Sequence, residues 1–447
     1  MKKIYYTCLA FLMLSSVSFG QRTLTLEECI NIALDNNISI KRARNNALIA
    51  KSTFTQSKFN FLPSLNAGAS HNWAEGLSFD QTSGGLVNTT TLSGGGSISA
   101  NLNIFNGFSN RLGMQRSNLL YQAAEQDVKG NVQATEASIV FSFLQVITTG
   151  ENLKIAEQTK ELLQEQLEQQ EIRERAGVGN MEQVYNFRSQ IASQDLAIVN
   201  LRNSLQSNRL TLLQLLFLDP TEEYTFEGIT GDDVTLEQEI EEYGTVFSRS
   251  MEFSPAVKSA ELNLQASKKT LKIAQFAWLP SLSASAATGT SWSSNLRNQD
   301  GSVVDLSDQF DTNRRKNASL NLGIPLFTRF QNRTQMQQSK IQYLNSELNL
   351  EQAKNTLTNQ VQQAYLDLVN AQSTYSAAKT SLLNLDNAYE FAKNRYESGT
   401  IDFVTYLQSL NGKNRGELEL IRAKYSILLR KAILDIYTGE LDPANSN

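Results

Sequence analysis

The chain carries one unit twice. At a constant offset of 222 (327 − 105 = 222), Phe327 falls on Phe105, Asn332-Arg333 on Asn110-Arg111, Met336-Gln337 on Met114-Gln115 and Tyr343 on Tyr121. The register holds to Arg395 on Arg173 and Gly399 on Gly177. Upstream, Trp278-Leu279-Pro280-Ser281-Leu282 falls on Phe61-Leu62-Pro63-Ser64-Leu65 at an offset of 217 (278 − 61 = 217). A period near 220 is far longer than the roughly 20 to 50 residues of a solenoid repeat. It describes a duplicated whole unit, with the two copies expected side by side in a pseudo-symmetric arrangement.

Residues 1–20 run from Met1-Lys2-Lys3 through the apolar Cys8 to Leu14 to the small Ser16, Ser18 and Gly20, the layout of a secretory leader with Gln21 as the first mature residue. The apolar stretch is too short for a membrane span, and Cys8 lies inside it rather than at a cleavage point, which argues against a lipid anchor. Without Lys2 and Lys3 the mature balance is 38 basic residues (40 − 2) against 45 acidic, a net charge of −7 that argues against a nucleic-acid partner. Cys29 is then the only cysteine, so no intrachain disulfide is expected despite export. Beyond the leader no run of 18 apolar residues occurs. Only strands could carry this exported chain into a membrane.

Six prolines, at 63, 220, 255, 280, 325 and 443, leave two proline-free stretches rich in Leu, Gln, Ala, Glu and Asn, as long helices require. In the second, Leu350, Ala353, Leu357, Val361, Ala364, Leu368, Ala371, Tyr375, Ala378, Leu382, Leu385, Tyr389, Ala392 and Tyr396 alternate steps of three and four. That 3.5-residue period specifies a left-handed supercoil packed by knobs into holes. A helix from about Gln331 to Ser398 would be roughly 100 Å long at 1.5 Å per residue. Its counterpart, about Asn110 to Arg175, has a less regular stripe, with Gly130 and Gly150 expected as soft points. Each long helix meets a glycine turn, Ala176-Gly177-Val178-Gly179-Asn180 and Ser398-Gly399-Thr400-Ile401-Asp402, and a returning helix follows, about Met181 to Phe217 and Phe403 to Tyr437.

Ahead of each long helix the period changes to two. Ser64–Trp73, Ser97–Ile104, Ser281–Ala286 and Ser319–Leu326 alternate polar or glycine with mostly apolar residues, marking strands with one wet and one dry face. Each copy should supply one β-hairpin, with loops at about 74–96 and 293–317. The span and alternation are those of outer-membrane strands, and Trp73, Trp278 and Trp292 fall near strand ends, where an aromatic girdle would sit. The acidic stretch 219–242 reads as a connector between copies. Four strands cannot close a barrel, and an open sheet in lipid would leave backbone groups unpaired, so several chains must share one. Two chains would fill the interior with side chains and three would leave a lumen. Inward-facing Ser, Asn and Gly favour three, with the helices continuing the barrel as a hollow tube of about twelve.

Residues 24–37, Leu-Thr-Leu-Glu-Glu-Cys-Ile-Asn-Ile-Ala-Leu-Asp-Asn-Asn, the Leu-Pro-Ser-Leu entries at 62–65 and 279–282, and Arg395 to Asp402 are similar to the TolC family of outer-membrane efflux proteins, with Cys29 where Ala is more usual. The resemblance spans the whole mature chain. It implies a mainly α fold with a membrane β-barrel part: a homotrimer with a 12-stranded barrel in the outer membrane of a Gram-negative bacterium and an α-helical barrel crossing the periplasm. It also implies a periplasmic adaptor and an inner-membrane pump as partners. In that family the adaptor docks on the turns, here Gly177, Val178 and Gly179 and, in the second copy, Gly399, Thr400 and Ile401, although neither reproduces the family's Val-Gly-Leu in full. Acidic residues narrow the periplasmic mouth, and Asp386, Glu390 and Glu168 are the candidates by position. A longer equatorial tail known in some members is expected to be missing.

Each assignment has a plainer counterpart. Gly177 and Gly399 are also what any helix hairpin needs as a stop, Asp386 and Glu390 could be a solvated helix face, and His71 reads as structural. One His and one mature Cys rule out His/Cys metal clusters and a His-based triad, and Gly84-Gly85 and Gly94-Gly95-Gly96 lack the lysine and strand-to-helix setting of a phosphate loop. No enzyme, cofactor or metal is expected. The functional expectation is a passive exit duct for efflux or type I secretion, its rival a coiled-coil envelope tether or adaptor without a pore.

Overall fold

The computed structural model describes residues 22–80, 84–228 and 239–440. The expected leader, Gln21, the 441–447 tail and positions 229–238 of the connector lie outside them. The elements are β1 (Arg22–Leu24), α1 (Leu26–Asn36), α2 (Ile38–Phe59), β2 (Ser64–Asp80), β3 (Gly85–Asn106), α3 (Ser109–Arg175), α4 (Met181–Leu216), β4 (Tyr224–Phe226), α5 (Tyr243–Phe253), α6 (Pro255–Gln275), β5 (Ser281–Ser293), α7 (Leu306–Thr312), β6 (Arg315–Gly323), α8 (Gln331–Glu397) and α9 (Phe403–Thr438).

The duplication governs element lengths. Both α3 and α8 have 67 residues and both α4 and α9 have 36. Their starts differ by the same offset (331 − 109 = 222; 403 − 181 = 222), whereas the first strands differ by 281 − 64 = 217. Two compact units result. One joins the chain up to Ala43 with Asp127–Pro255 and everything from Lys354 on, and the other joins Arg44–Gln126 with Ala256–Ala353.

The first unit is helical. Nine of the fourteen stripe residues in α8, from Leu357 to Tyr396, are under a tenth exposed, and α3 buries Ile139, Val140, Phe143, Leu144 and Ile147. Each such large apolar side chain contributes about 1.5–3 kcal/mol. Gly130 and Gly150 do not interrupt α3, which stays helical through both. A glycine weakens an exposed helix by only about 1 kcal/mol, too little to break one packed along its length. Lys160–Asp195 (2.7 Å), Arg188–Glu171 (2.8 Å) and Arg202–Glu157 (2.6 Å) tie α3 to α4. These pairs are largely exposed and contribute about 0–1 kcal/mol each, so they fix alignment more than stability. The N-terminal α1 begins with a capping box, in which Thr25 Oγ1 accepts from Glu28 N (3.2 Å) and Glu28 Oε2 accepts from Thr25 N (2.9 Å). Part of the expected connector is ordered otherwise, since β4 pairs in parallel with β1; α5 starts immediately after the connector, at Tyr243.

The second unit holds one antiparallel four-stranded sheet in the order β2-β3-β5-β6. Its first hairpin is longer than the alternation indicates, since the supposed loop at 74–96 continues the ladder from Trp73↔Leu92 to Asp80↔Gly85. The β-branched Val87 and Thr89 to Thr91 favour strand there, while the glycines and serines around them mask the signal. β6 lies earlier than expected, running from Arg315 and ending at Gly323, because Pro325 lacks the N–H a ladder needs. Between β5 and β6 the expected loop contains α7, which satisfies the edge of β5 above β6: Asn313 Nδ2 donates to Ser291 O (2.7 Å) and Ser293 N to Gln309 Oε1 (2.8 Å).

Candidate functional site

Register separates the sheet into two chemically opposite faces. Residues directly paired share a face. On one lie Leu65 with Ala100, Ala286 and Ala318; Ala67 with Ile98, Thr288 and Lys316; Trp73 with Leu92; and Ala284 with Leu102 and Leu320. The other carries Asn66, Ser99, Ala287 and Asn317, then Ser64, Asn101, Ser285 and Ser319. The apolar face is bare, with Leu65 74%, Leu320 70% and Leu322 64% exposed. A sheet with one hydroxyl- and amide-bearing face and one unburied aliphatic face suits water on one side and hydrocarbon on the other.

Two of the tryptophans, Trp73 and Trp292, share that face by register. Trp292 pairs with Gly94 and lies 5.5 Å, ring to ring, from His71. Gly94 is required there, because a Cβ would come within 2.8 Å of Trp292 Nε1 and 2.5 Å of Ser70 O. Trp73 is two residues further along β2 and exposed, whereas Trp278 lies in the 3-10 turn preceding β5. From Leu282 to Trp292 is roughly 33 Å along a strand, which at a tilt near 40° is about 25 Å of height, the thickness of an outer-membrane apolar band.

The strand-to-helix joints are built alike in both copies. Asn110 Nδ2 donates to Asn60 O and Asn332 Nδ2 to Ala277 O, both at 3.1 Å, while Tyr121 and Tyr343 each donate to a glutamate four residues on (2.5 Å). Phe108 (φ 63°) and Phe330 (φ 62°) hold the same left-handed turn. Repeated strain at corresponding positions marks a joint that the surrounding structure over-determines.

In the helical unit both hairpin turns are Schellman motifs. Gly177 (φ 75°) donates to Glu174 O and Val178 N to Arg173 O, and Gly399 (φ 73°) donates to Tyr396 O and Thr400 N to Arg395 O. Asn180 and Asp402 cap the returning helices through Glu182 N (2.9 Å) and Thr405 N (2.7 Å). The turns then differ. At Gly179 a Cβ would fall 2.4 Å from Glu174 N, so no other residue fits, whereas its counterpart Ile401 packs on an aromatic cluster of Phe187, Tyr389, Tyr396, Phe403 and Tyr406 with Leu163 and Leu410. That cluster joins all four long helices below the turns. Burial pushes the Tyr396 and Tyr406 phenols above their ordinary pKa, so both stay neutral.

The gate candidates are not equivalent. Asp386 is bound to Lys413 Nζ (2.6 Å), which lies 4.9 Å from the Tyr389 ring centroid. Partial burial works against the Lys413 charge, but Asp386 and then Glu417 outweigh it and hold its pKa above the usual value. The Asp386 charge is thus shared within its own hairpin, while Glu390 and Glu168 are exposed. Lys413 and the aromatic cluster are what sequence reading missed. Only the tyrosines of the heptad stripe pointed toward them.

A duplicated hairpin-and-coiled-coil unit with a two-faced sheet defines a class, the subunits of outer-membrane exit channels. The chain belongs to the outer membrane efflux protein family, whose model matches residues 29–216 and 246–440. This places it in the outer membrane, with a fold of channel proteins. Its fold is similar to that of CusC (TM-score 0.79, 18% identity, 92% of this chain and 91% of CusC covered). VceC from Vibrio cholerae (0.76, 16%, 93% and 96%) and the Campylobacter jejuni CmeC channel (0.74, 18%, 93% and 85%) are similar too. An uncharacterized protein of Haemophilus influenzae is 24% identical over 174 residues, 39% of this chain, and the match spans little more than a third (36%) of that protein's length.

Proposed function

We propose that three copies close their sheets into a 12-stranded barrel and their helices into a tube, forming a passive exit duct opened from the periplasm by an adaptor and an inner-membrane pump. The observation that carries this reading is the two-faced sheet whose outer strands, β2 and β6, each have one edge without a strand partner among the described residues. Unpaired backbone in lipid costs several kcal/mol per group, so the edges call for sister subunits. Three sheets of four give twelve strands, wide enough for a lumen lined by the Ser and Asn face. The structures of CusC concern transmembrane channel formation, which agrees with this role.

On this reading Trp73, Trp278 and Trp292 form the girdle. The turns Gly177-Val178-Gly179 and Gly399-Thr400-Ile401 receive the adaptor, with Val178, 79% exposed, as the apolar contact. Glu390 and Glu168 are the acidic groups available at the mouth, favouring cations there, and Asp386 acts through its bridge to Lys413. Planar-bilayer conductance of the purified protein tests the proposal. Discrete pores from a species of three-chain mass are expected; a monomer soluble without detergent that forms no pore would support a tether instead.

A further inference from the structure

The lipid-facing side of the sheet carries a built depression just inside the Trp73 and Trp292 level. Small residues floor it, Ala67 and Ala69 of β2, Gly96 of β3, and Thr288 and Thr290 of β5, while Ile98, Phe310 and Arg314 complete its wall and its volume is about 710 Å³. Phe310 is fixed by its own backbone, whose carbonyl accepts from Thr290 Oγ1 (2.9 Å). The register sets Lys316 on the same face, paired with Thr288. Arg314 and Lys316 are both exposed, and among the described residues the acidic group bonded to them is Asp311, 3.1 Å from Arg314 in a pair more than 60% exposed on both sides. Screening leaves such a pair little strength, so Arg314 remains open to a stronger anion. Arg315, between them, points to the opposite face.

An aliphatic-floored hollow with cations at its rim, at the level where strands leave the bilayer, fits a lipid whose acyl chains lie on the small residues and whose headgroup carries phosphate. Long basic side chains bury their stems on apolar surface and present the charge at the interface, and guanidinium matches phosphate geometry. The hollow spans three strands, roughly 10 Å at about 4.8 Å each, room for adjacent acyl chains. We propose that this depression binds a phosphorylated multi-acyl glycolipid of the outer leaflet, with Arg314 and Lys316 on its phosphates and Gly96 keeping the floor open. The proposal rests on the lipid-facing assignment above.

Native mass spectrometry of the detergent-purified full-length protein, incubated with a bisphosphorylated hexa-acyl glucosamine disaccharide, its dephosphorylated form or phosphatidylglycerol, tests it. The double substitution Arg314→Ala/Lys316→Ala should weaken retention of the bisphosphorylated lipid at least fivefold and leave the dephosphorylated lipid unchanged. Gly96→Leu should weaken both, because a side chain there meets only Gly68 O, at 3.9 Å, and projects into the hollow. Equal retention by all variants, or equally tight and equally sensitive binding of phosphatidylglycerol, would overturn the assignment. Conductance of the same preparations separates the two levels: pores with unchanged lipid retention sink only this site, whereas absence of pores sinks the duct.

Discussion

Gly399 offers a way to separate the two roles a turn glycine can have. Its φ of 73° lies in the left-handed region and no atom lies within 4 Å of where a Cβ would be, so replacing it costs backbone energy alone. Alanine pays roughly 1–2 kcal/mol for that conformation, and asparagine, which tolerates it, about half. Local opening of the turn should therefore rise about 5- to 30-fold in Gly399→Ala. Hydrogen exchange at the Thr400 amide, which donates to Arg395 O at 2.8 Å, reads this directly. Gly399→Asn should recover most of the protection while placing a side chain on the proposed docking surface. If the asparagine variant exchanges as fast as the alanine one, the conformational argument is wrong. If it restores both protection and efflux in cells, adaptor contact at Gly399 is refuted and only the stop remains.

Phe187, fully buried in the aromatic cluster, should cost about 3–5 kcal/mol on truncation to alanine, read as a lower thermal midpoint and faster exchange in both hairpin turns. Asp435 has its pKa raised to about 6 by burial and then by Glu440. A carboxyl raised in the folded state favours folding below its unfolded value near 4 and loses that contribution as pH rises through 6. With the shift discounted for the solvent that still reaches this partly buried group, Asp435→Asn should accordingly stabilise the protein at pH 7.5 by on the order of 2 kcal/mol and do nothing at pH 3.5; equal effects at both would contradict the assignment. Leu320→Arg should reduce barrel stability by about 2–4 kcal/mol while Ser319→Arg, its neighbour on the opposite face, should be tolerated, as judged by the heat-modifiable gel shift.

Periodicity and repetition were enough to read the four long helices α3, α4, α8 and α9, because packing along α8 selects every third or fourth residue and the duplication locates the same boundaries twice; the shorter α2, α5 and α6 were not read. The sheet was half legible. Alternation identifies a strand only where both faces differ, and around Gly94 to Gly96 glycine removes the side chains that would show it; at Gly94 and Gly95 the close approach of Trp292 and of Thr290 O is the reason for glycine, not a turn. Helix α7 was hidden because seven residues without an apolar stripe carry no period. Among site residues, positive φ at Gly177 and Gly399 could be foreseen from the turn chemistry. The pairing of Asp386 with Lys413 could not, since the partners are 27 residues apart (413 − 386) on different helices and nothing local links them.

The central claim is that neighbouring residues of one strand meet lipid and water in turn. It is tested by substituting Ser319, Leu320, Asn321 and Leu322 singly with cysteine and labelling intact outer membranes with a charged maleimide. The native Cys29 is fully buried with its thiol pKa pushed up to about 12, and Cys8 lies in the expected leader, so background should be low. The account predicts labelling at 319 and 321 and none at 320 and 322. Uniform labelling of all four positions would contradict it.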